Sequence, residues 1–190
     1  RGQDAVMALA LAGTKTTRIE LATAVTPVQP RHPVALAQQA LTASAMCSGR
    51  FSLGVGLSHK VVIEDMYGLS FDHPAKTMRE YIGAIAPLLG GDATAFSGSM
   101  YRVNIGLEVP DSVTPVPLLV AAMGPKMLAL AGRATDGTIL WMTGAKTIEE
   151  YVQPTMAAGA AEVGRAVPRT MAAFPVLLTN DEAGGRTLVG

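Results

Sequence analysis

Between residues 18 and 178, short runs that are apolar on both faces alternate with helix-length segments, and this alternation constrains the fold more than any other feature. Runs of strand character fall at residues 18–25, 51–56, 116–122, 137–142 and 170–178, and helical spacing marks residues 4–13, 33–48, 74–89, 125–135 and 147–163. Strands apolar on both faces must be covered on both, and parallel strands need crossovers long enough to hold a helix. The fold class is therefore α/β, with a parallel sheet covered by helices.

Local signals agree with this division. Asp4 is placed to cap the first helix and Gly13 to end it in a left-handed turn. Pro33 and Pro125 suit first helical turns, while Pro27 and Pro30 stop the first strand. The longest connection runs over about residues 90–115, where Phe96-Ser-Gly-Ser-Met-Tyr-Arg-Val103 reads as a small hairpin. An insertion of this kind at the mouth of a barrel would serve as a lid. Residues 179–190 carry no expected element. A closed eight-stranded barrel takes about 250 residues, so five strand–helix units in 190 residues are either part of a barrel or an open sheet, and one partial-barrel domain over residues 1–190 is the preferred expectation.

Charge and cysteine content exclude several functions. Fifteen Lys and Arg balance fifteen Asp and Glu, so no basic field gathers nucleic acid or an acidic membrane surface. The longest apolar stretches are broken by Gly124, Pro125 and Lys126 well before the length of a membrane span. A single cysteine, Cys47, supports neither a disulfide framework nor a thiolate zinc site and fits a reducing, cytoplasmic setting. The three histidines lie far apart, so no metal site is expected. There is no Gly-x-Ser-x-Gly elbow, and Cys47 falls inside an expected helix, which disfavours covalent hydrolysis.

In β/α barrels chemistry sits on the loops after the C-terminal strand ends. Four such ends stand out: Thr23-Ala-Val-Thr-Pro27, Gly54-Val-Gly-Leu-Ser-His59, Ala121-Ala122-Met123-Gly124-Pro125 and Trp141-Met-Thr-Gly144. The third suits an anion, because Ala and Gly admit a phosphate to the backbone, Gly124 permits positive φ, and Pro125 starts a helix whose N–H groups point back at the ligand. An ordinary tight strand-to-helix turn explains those five residues equally well. The second end lacks the third glycine of a dinucleotide fingerprint, the position being His59. It offers instead two glycines for close approach, Ser58 as a donor and His59 as a group that titrates near neutrality. His32 and His73, each before a proline, suit caps or loops. Met100, Met123, Met142 and Trp141 fit core packing or the wall of a flat-ring pocket.

At these residues the sequence resembles the bacterial luciferase-like oxidoreductases, and within them the branch that uses the deazaflavin coenzyme F420 in place of FMN. The resemblance rests on Arg18-Ile-Glu-Leu-Ala-Thr-Ala-Val25 with the following Pro27 and Arg31-His32-Pro33; on Gly49-Arg-Phe-Ser-Leu-Gly-Val-Gly56; and on Pro117-Leu-Leu-Val-Ala-Ala-Met-Gly-Pro125 leading to Leu130-Ala-Gly-Arg-Ala-Thr-Asp-Gly137. It implies a TIM (β/α)8 barrel of the bacterial luciferase type, seen here over about strands 3 to 7. It further implies a non-proline cis peptide at Ala24-Val25 beneath the deazaflavin ring, with Thr26 beside it. Gly56, Leu57, Ser58 and His59 would line the ring edge and cofactor tail, and Ala121, Ala122, Met123, Gly124 and Pro125 would cradle the cofactor phosphate. Leu57 and His59 stand where deazaflavin sugar-phosphate dehydrogenases carry Thr and a catalytic Glu, a departure from that specificity. Val55-Gly-Leu-Ser-His-Lys-Val-Val-Ile-Glu64 resembles an actinobacterial subgroup.

The resulting expectation is an oxidoreductase moving a hydride between F420 and a small organic substrate, with His59 as proton donor or acceptor. An FMN-dependent monooxygenase fed by a partner reductase is the alternative, and a non-catalytic flavin-binding barrel is a third reading. Ala- and Leu-rich helices such as residues 34–46 suggest a homodimer.

Overall fold

The computed structural model describes residues 2–189. Its elements run α1 (Ala5–Gly13), β1 (Leu21–Ala22), β2 (Thr26–Pro27), α2 (Pro33–Met46), β3 (Phe51–Gly56), α3 (Pro74–Gly90), β4 (Thr94–Ser97), β5 (Arg102–Ile105), β6 (Leu118–Ala121), α4 (Pro125–Ala134), β7 (Gly137–Trp141), α5 (Ala145–Thr147), α6 (Gln153–Ala161), β8 (Arg169–Ala173) and α7 (Glu182–Val189). One π-helical turn, Val62–Met66, follows β3, and another, Ile148–Val152, joins α5 to α6.

The strands pair in parallel in the order β1, β3, β6, β7, β8, with β2 also on β3. That order follows the chain without reversing. Each helix packs on the next, α1 on α2, α2 on α3, α3 on α4 and α4 on α6. A doubly wound sheet reverses its strand order and carries helices on both faces. A sheet wound in one direction keeps its right-handed crossovers on one face and curls, as here, into part of a β/α barrel.

Strand alternation separates the two faces. Phe51, Leu53, Val55, Leu118, Val120 and Leu140 point outward into one core with Leu36, Leu41, Tyr81, Ile85, Leu128 and Met156 of the helices. Each such buried side chain contributes about 1.5–3 kcal/mol of transfer free energy. The alternate residues Ser52, Gly54, Gly56, Leu119, Ala121, Ile139 and Trp141 face inward. The close approach of Ile139 to Gly54 and of Leu119 to Gly137 confirms this second set.

The first expected strand, residues 18–25, is two short pieces. Ala22 pairs with Ser52 and Thr26 with Val55, so four steps on the first strand match three on β3. The extra residue makes a bulge. Within it Thr23 Oγ1 donates to Gly54 O at 2.8 Å and accepts from Gly54 N at 2.9 Å, replacing the interrupted ladder.

Other expectations need correction. Gly13 is the last helical residue of α1, and Thr14, in right-handed geometry, is the C-cap. Glycine is required there for space, since a Cβ would lie 2.2 Å from Cys47 Sγ. The hairpin β4–β5 runs along the outside of the helices, and its Tyr101 ring lies 6.3 Å from that of His32, the N-cap of α2 on the strand-end side. It follows a helix, so it starts at the opposite end, and it lies along α3: the buried Glu80 carboxylate accepts Met100 N–H at 2.7 Å and Ser99 Oγ–H at 3.2 Å, and the Tyr101 ring meets Tyr81 edge-on at 5.4 Å. The expected strand at residues 170–178 stops at Ala173, and the tail holds α7, which the Gly184-Gly185 pair had masked. Asp181 Oδ1 accepts Gly184 N–H at 3.0 Å at its start.

Candidate cofactor site at the strand ends

Parallel pairing places the four candidate loops side by side along one edge of the sheet. Across it they run from residues 23–27 through 56–59 and 121–125 to 141–144. The inward face is shallow here because its residues are small. A Cβ added to Gly56 would come within 2.5 Å of Val25 Cγ2 and 3.5 Å of Ala121 Cβ, so Val25, Gly56 and Ala121 form one continuous floor. One layer below, a Cβ on Gly54 would lie 1.9 Å from Thr23 O, which only glycine permits.

The peptide bond between Ala24 and Val25 is cis, as the resemblance implies. Val25 turns toward the floor. Thr26, in register with outward-facing Val55, is 3% exposed, and its buried hydroxyl has no hydrogen-bond partner on the helix side. What Thr26 presents to the strand-end edge is its backbone.

After β3 the chain passes through Leu57 and Ser58, the latter in left-handed geometry at φ 61°, and delivers an exposed His59. The His59 carbonyl accepts N–H groups from Val62 at 2.9 Å and Ile63 at 3.1 Å, opening the π-helical turn. This fixes the backbone and leaves the imidazole in solvent. His32 acts as a cap, its Nδ1 accepting Val34 N–H at 3.3 Å, whereas His73 precedes α3 in left-handed geometry without a side-chain cap.

At the third loop Gly124 is the N-cap of α4 with φ −80° and ψ 153°, so the expected positive φ is not used. The glycine supplies room: nothing lies within 4 Å of where its Cβ would stand. No side chain caps α4, so its first amide groups remain for an outside acceptor, and Lys126 adds positive charge in the same turn. Ala122 is buried beneath this turn. The small floor and the open, uncapped turn fit a flat ring joined to a phosphate.

The fourth loop carries more than sequence reasoning assigned to it. Thr143 is buried, and its hydroxyl reaches Met123 Sδ at 3.5 Å and Trp141 O at 3.2 Å, tying the third loop to the fourth. Trp141, Met142 and Met123 are not core residues, being 66%, 56% and 48% exposed. Gly144 repeats the extended, uncapped geometry of Gly124 ahead of α5. That repeat of Gly at a strand-to-helix turn was the readable signal. Among the described residues no group of three or more His, Cys, Asp or Glu is placed to hold a metal ion.

Comparison with known proteins gives this geometry a family. A family model described as luciferase-like monooxygenase matches residues 1–187. The chain belongs to the luciferase-like monooxygenase family. It is 35% identical over 169 residues to the F420-dependent glucose-6-phosphate dehydrogenase of Nocardia farcinica, covering 84% of this chain and 49% of the relative. It is 31% identical over 163 residues to the 5,10-methylenetetrahydromethanopterin reductase of Methanolobus tindarius, with 86% and 49% covered. Among solved structures, the coenzyme F420 dependent tetrahydromethanopterin reductase from Methanopyrus kandleri superposes with a TM-score of 0.72 at 26% identity, over 91% of this chain and 54% of that one. This luciferase-like chain spans about half the length of the curated relatives it matches, and its curled sheet is a partial TIM barrel of their type.

Proposed function

We propose that this chain forms the coenzyme-holding part of an oxidoreductase that moves a hydride between the deazaflavin coenzyme F420 and a small organic substrate. The observation that carries this reading is the Val25–Gly56–Ala121 floor set beside the open, uncapped turn at Gly124, which together fit a flat ring and its phosphate. The 35% identical relative named as an F420-dependent dehydrogenase, and the solved structure named as a coenzyme F420 dependent reductase, support the same coenzyme.

When bound, the deazaflavin supplies hydride chemistry at its ring. Gly56 and Ala121 give the ring depth, and Ala24, Val25 and the Thr26 backbone back it. Leu57 and Ser58 border its edge, while Met123, Gly124 and the first turn of α4 hold the phosphate through N–H groups, with Pro125 and Ala122 fixing the turn. His59, exposed at the end of β3, holds or moves a proton at an imidazole nitrogen for the heteroatom bonded to the substrate carbon that gains or loses hydride.

Purified protein equilibrated with equal F420 and FMN, then desalted, tests the assignment. Retention of F420 is the predicted result. Preferential retention of FMN would replace this reading with that of a flavin monooxygenase.

The same reading takes the protein as a cytoplasmic homodimer whose second copy covers the apolar groove between α1 and α2, where Met7, Leu11 and Met46 are exposed beside Val6 and Ala43. Sedimentation velocity over a range of concentrations checks this, and a monomer throughout would contradict it.

A further inference from the structure

Charge is missing from the inward face of the strand ends. Its residues are Val25, Pro27, Gly56, Ala121, Trp141 and Ala173, none of which is ionisable. Four lysines stand around this edge, Lys60, Lys126, Lys146 and, in the first turn of α3, Lys76. Lys60 pairs along its own turn with Glu64 at 3.6 Å, and Lys146 with Glu150 at 3.9 Å. Lys126 stands in the turn that is proposed to take the coenzyme phosphate. None of these cations lies on the inward face itself, so among the described residues a second anionic group finds no charged partner there.

The fourth loop offers a large apolar surface in place of charge. Trp141 ends β7 two residues after inward-facing Ile139, so its indole points to the same side. It is 66% exposed. Its loop is fixed on both sides, by Met142 N–H on Ala173 O at 2.9 Å and by the Thr143 hydroxyl between Trp141 O and Met123 Sδ. Met142, in left-handed geometry at φ 51°, and Met123, held to the fourth loop by Thr143, add two half-exposed, polarizable thioethers to the same edge.

We infer that Trp141, Met123 and Met142 form the substrate subsite, and that the substrate is an uncharged molecule carrying a flat conjugated or aromatic group stacked on the Trp141 indole. This inference rests on the hydride-transfer reading above for the claim that a substrate binds at this edge. A flat group gains from offset or edge contact with indole and from the adjoining sulfur atoms, and a phosphorylated sugar gains nothing comparable.

The probe is 2-naphthaldehyde, compared with glucose 6-phosphate, in equilibrium dialysis against the protein with and without F420. Trp141 is the only tryptophan, so its emission reports the same event directly. The inference predicts saturable naphthaldehyde binding that quenches Trp141 emission, and no saturable binding of glucose 6-phosphate. Trp141→Ala should weaken naphthaldehyde about tenfold, and Trp141→Phe should recover most of the loss, with circular dichroism confirming that both variants fold. Equal naphthaldehyde affinity in Trp141→Ala, or tighter binding of glucose 6-phosphate, would overturn it. F420 binding without naphthaldehyde binding defeats the subsite and spares the coenzyme reading. Naphthaldehyde binding without F420 binding supports the subsite and defeats the coenzyme reading.

Discussion

The two ends of the inward face are built on opposite principles. At the end where the strands begin, Ser52 Oγ–H donates to Glu20 Oε1 at 2.9 Å, Arg169 Nη2 donates to Ser52 Oγ at 2.9 Å, and Arg169 Nη1 reaches Glu20 Oε2 at 3.1 Å. This cluster joins the first strand position to the last, and its polar groups satisfy one another. At the end where the strands finish, the floor is Gly and Ala, two helix starts are uncapped, and Trp141 stands open. Hydrogen-bonding capacity used internally marks a structural device, while capacity left open marks a place for a ligand.

Substitutions at the two ends, and in the layer between them, should therefore separate stability from binding. The largest effect is expected between them, at Gly54→Ala, where a Cβ would meet Thr23 O at 1.9 Å. A loss of about 3 kcal/mol or more in urea denaturation is expected, and a loss under about 0.5 kcal/mol would mean that the bulge is not rigid. Next comes His59→Ala, which removes an exposed ring and keeps the carbonyl that starts the π-helical turn. Turnover with reduced coenzyme should fall about 100-fold while stability stays within about 0.5 kcal/mol.

Gly124→Asp sharpens the contrast further. Aspartate is a good N-cap and nothing crowds the site, so stability should rise by a few tenths of a kcal/mol. The same carboxylate takes the place proposed for phosphate, and coenzyme affinity should drop about tenfold by fluorescence titration. Opposite signs for stability and binding are the signature sought.

The smallest effect belongs to Arg169→Ala. Both partners of the Glu20–Arg169 pair are about half exposed, so the loss should be about 1 kcal/mol or less. The hydrogen bond from Arg169 holds the Glu20 carboxyl below its ordinary 4.5, against a partial opposing effect of burial. A carboxyl lowered on folding stabilises above pH 4.5 and loses that contribution as pH falls through the lowered value. Urea midpoints measured below pH 4.5 should therefore fall less steeply in Arg169→Ala than in the parent chain.

Much of this architecture is legible in the sequence, because both-face apolar strands and their spacing leave few folds. Phe51–Gly56 forms a strand with the expected bounds, and Pro33 and Pro125 begin helices as expected. What failed depends on contacts made across the chain. The bulge arises from a one-residue register difference with β3, and no local run of apolar residues encodes it. Gly13 and Gly124 carry the expectation of left-handed or positive-φ backbone, yet Gly13 is helical and serves close packing against Cys47, and Gly124 is extended and supplies only the open space. The hairpin's place follows from Glu80, Tyr81 and Gly83 on α3, and the connection alone names none of them. Trp141 looks like any strand residue until register shows which face it shares with Ile139.

The most direct test of the open end is a fluorescence titration of coenzyme F420 into the purified protein, with FMN titrated in parallel. Saturable micromolar binding of F420, tighter than FMN, is the result predicted by the floor at Val25, Gly56 and Ala121 and the turn at Gly124. Tighter binding of FMN, or no saturable binding of F420, would contradict it.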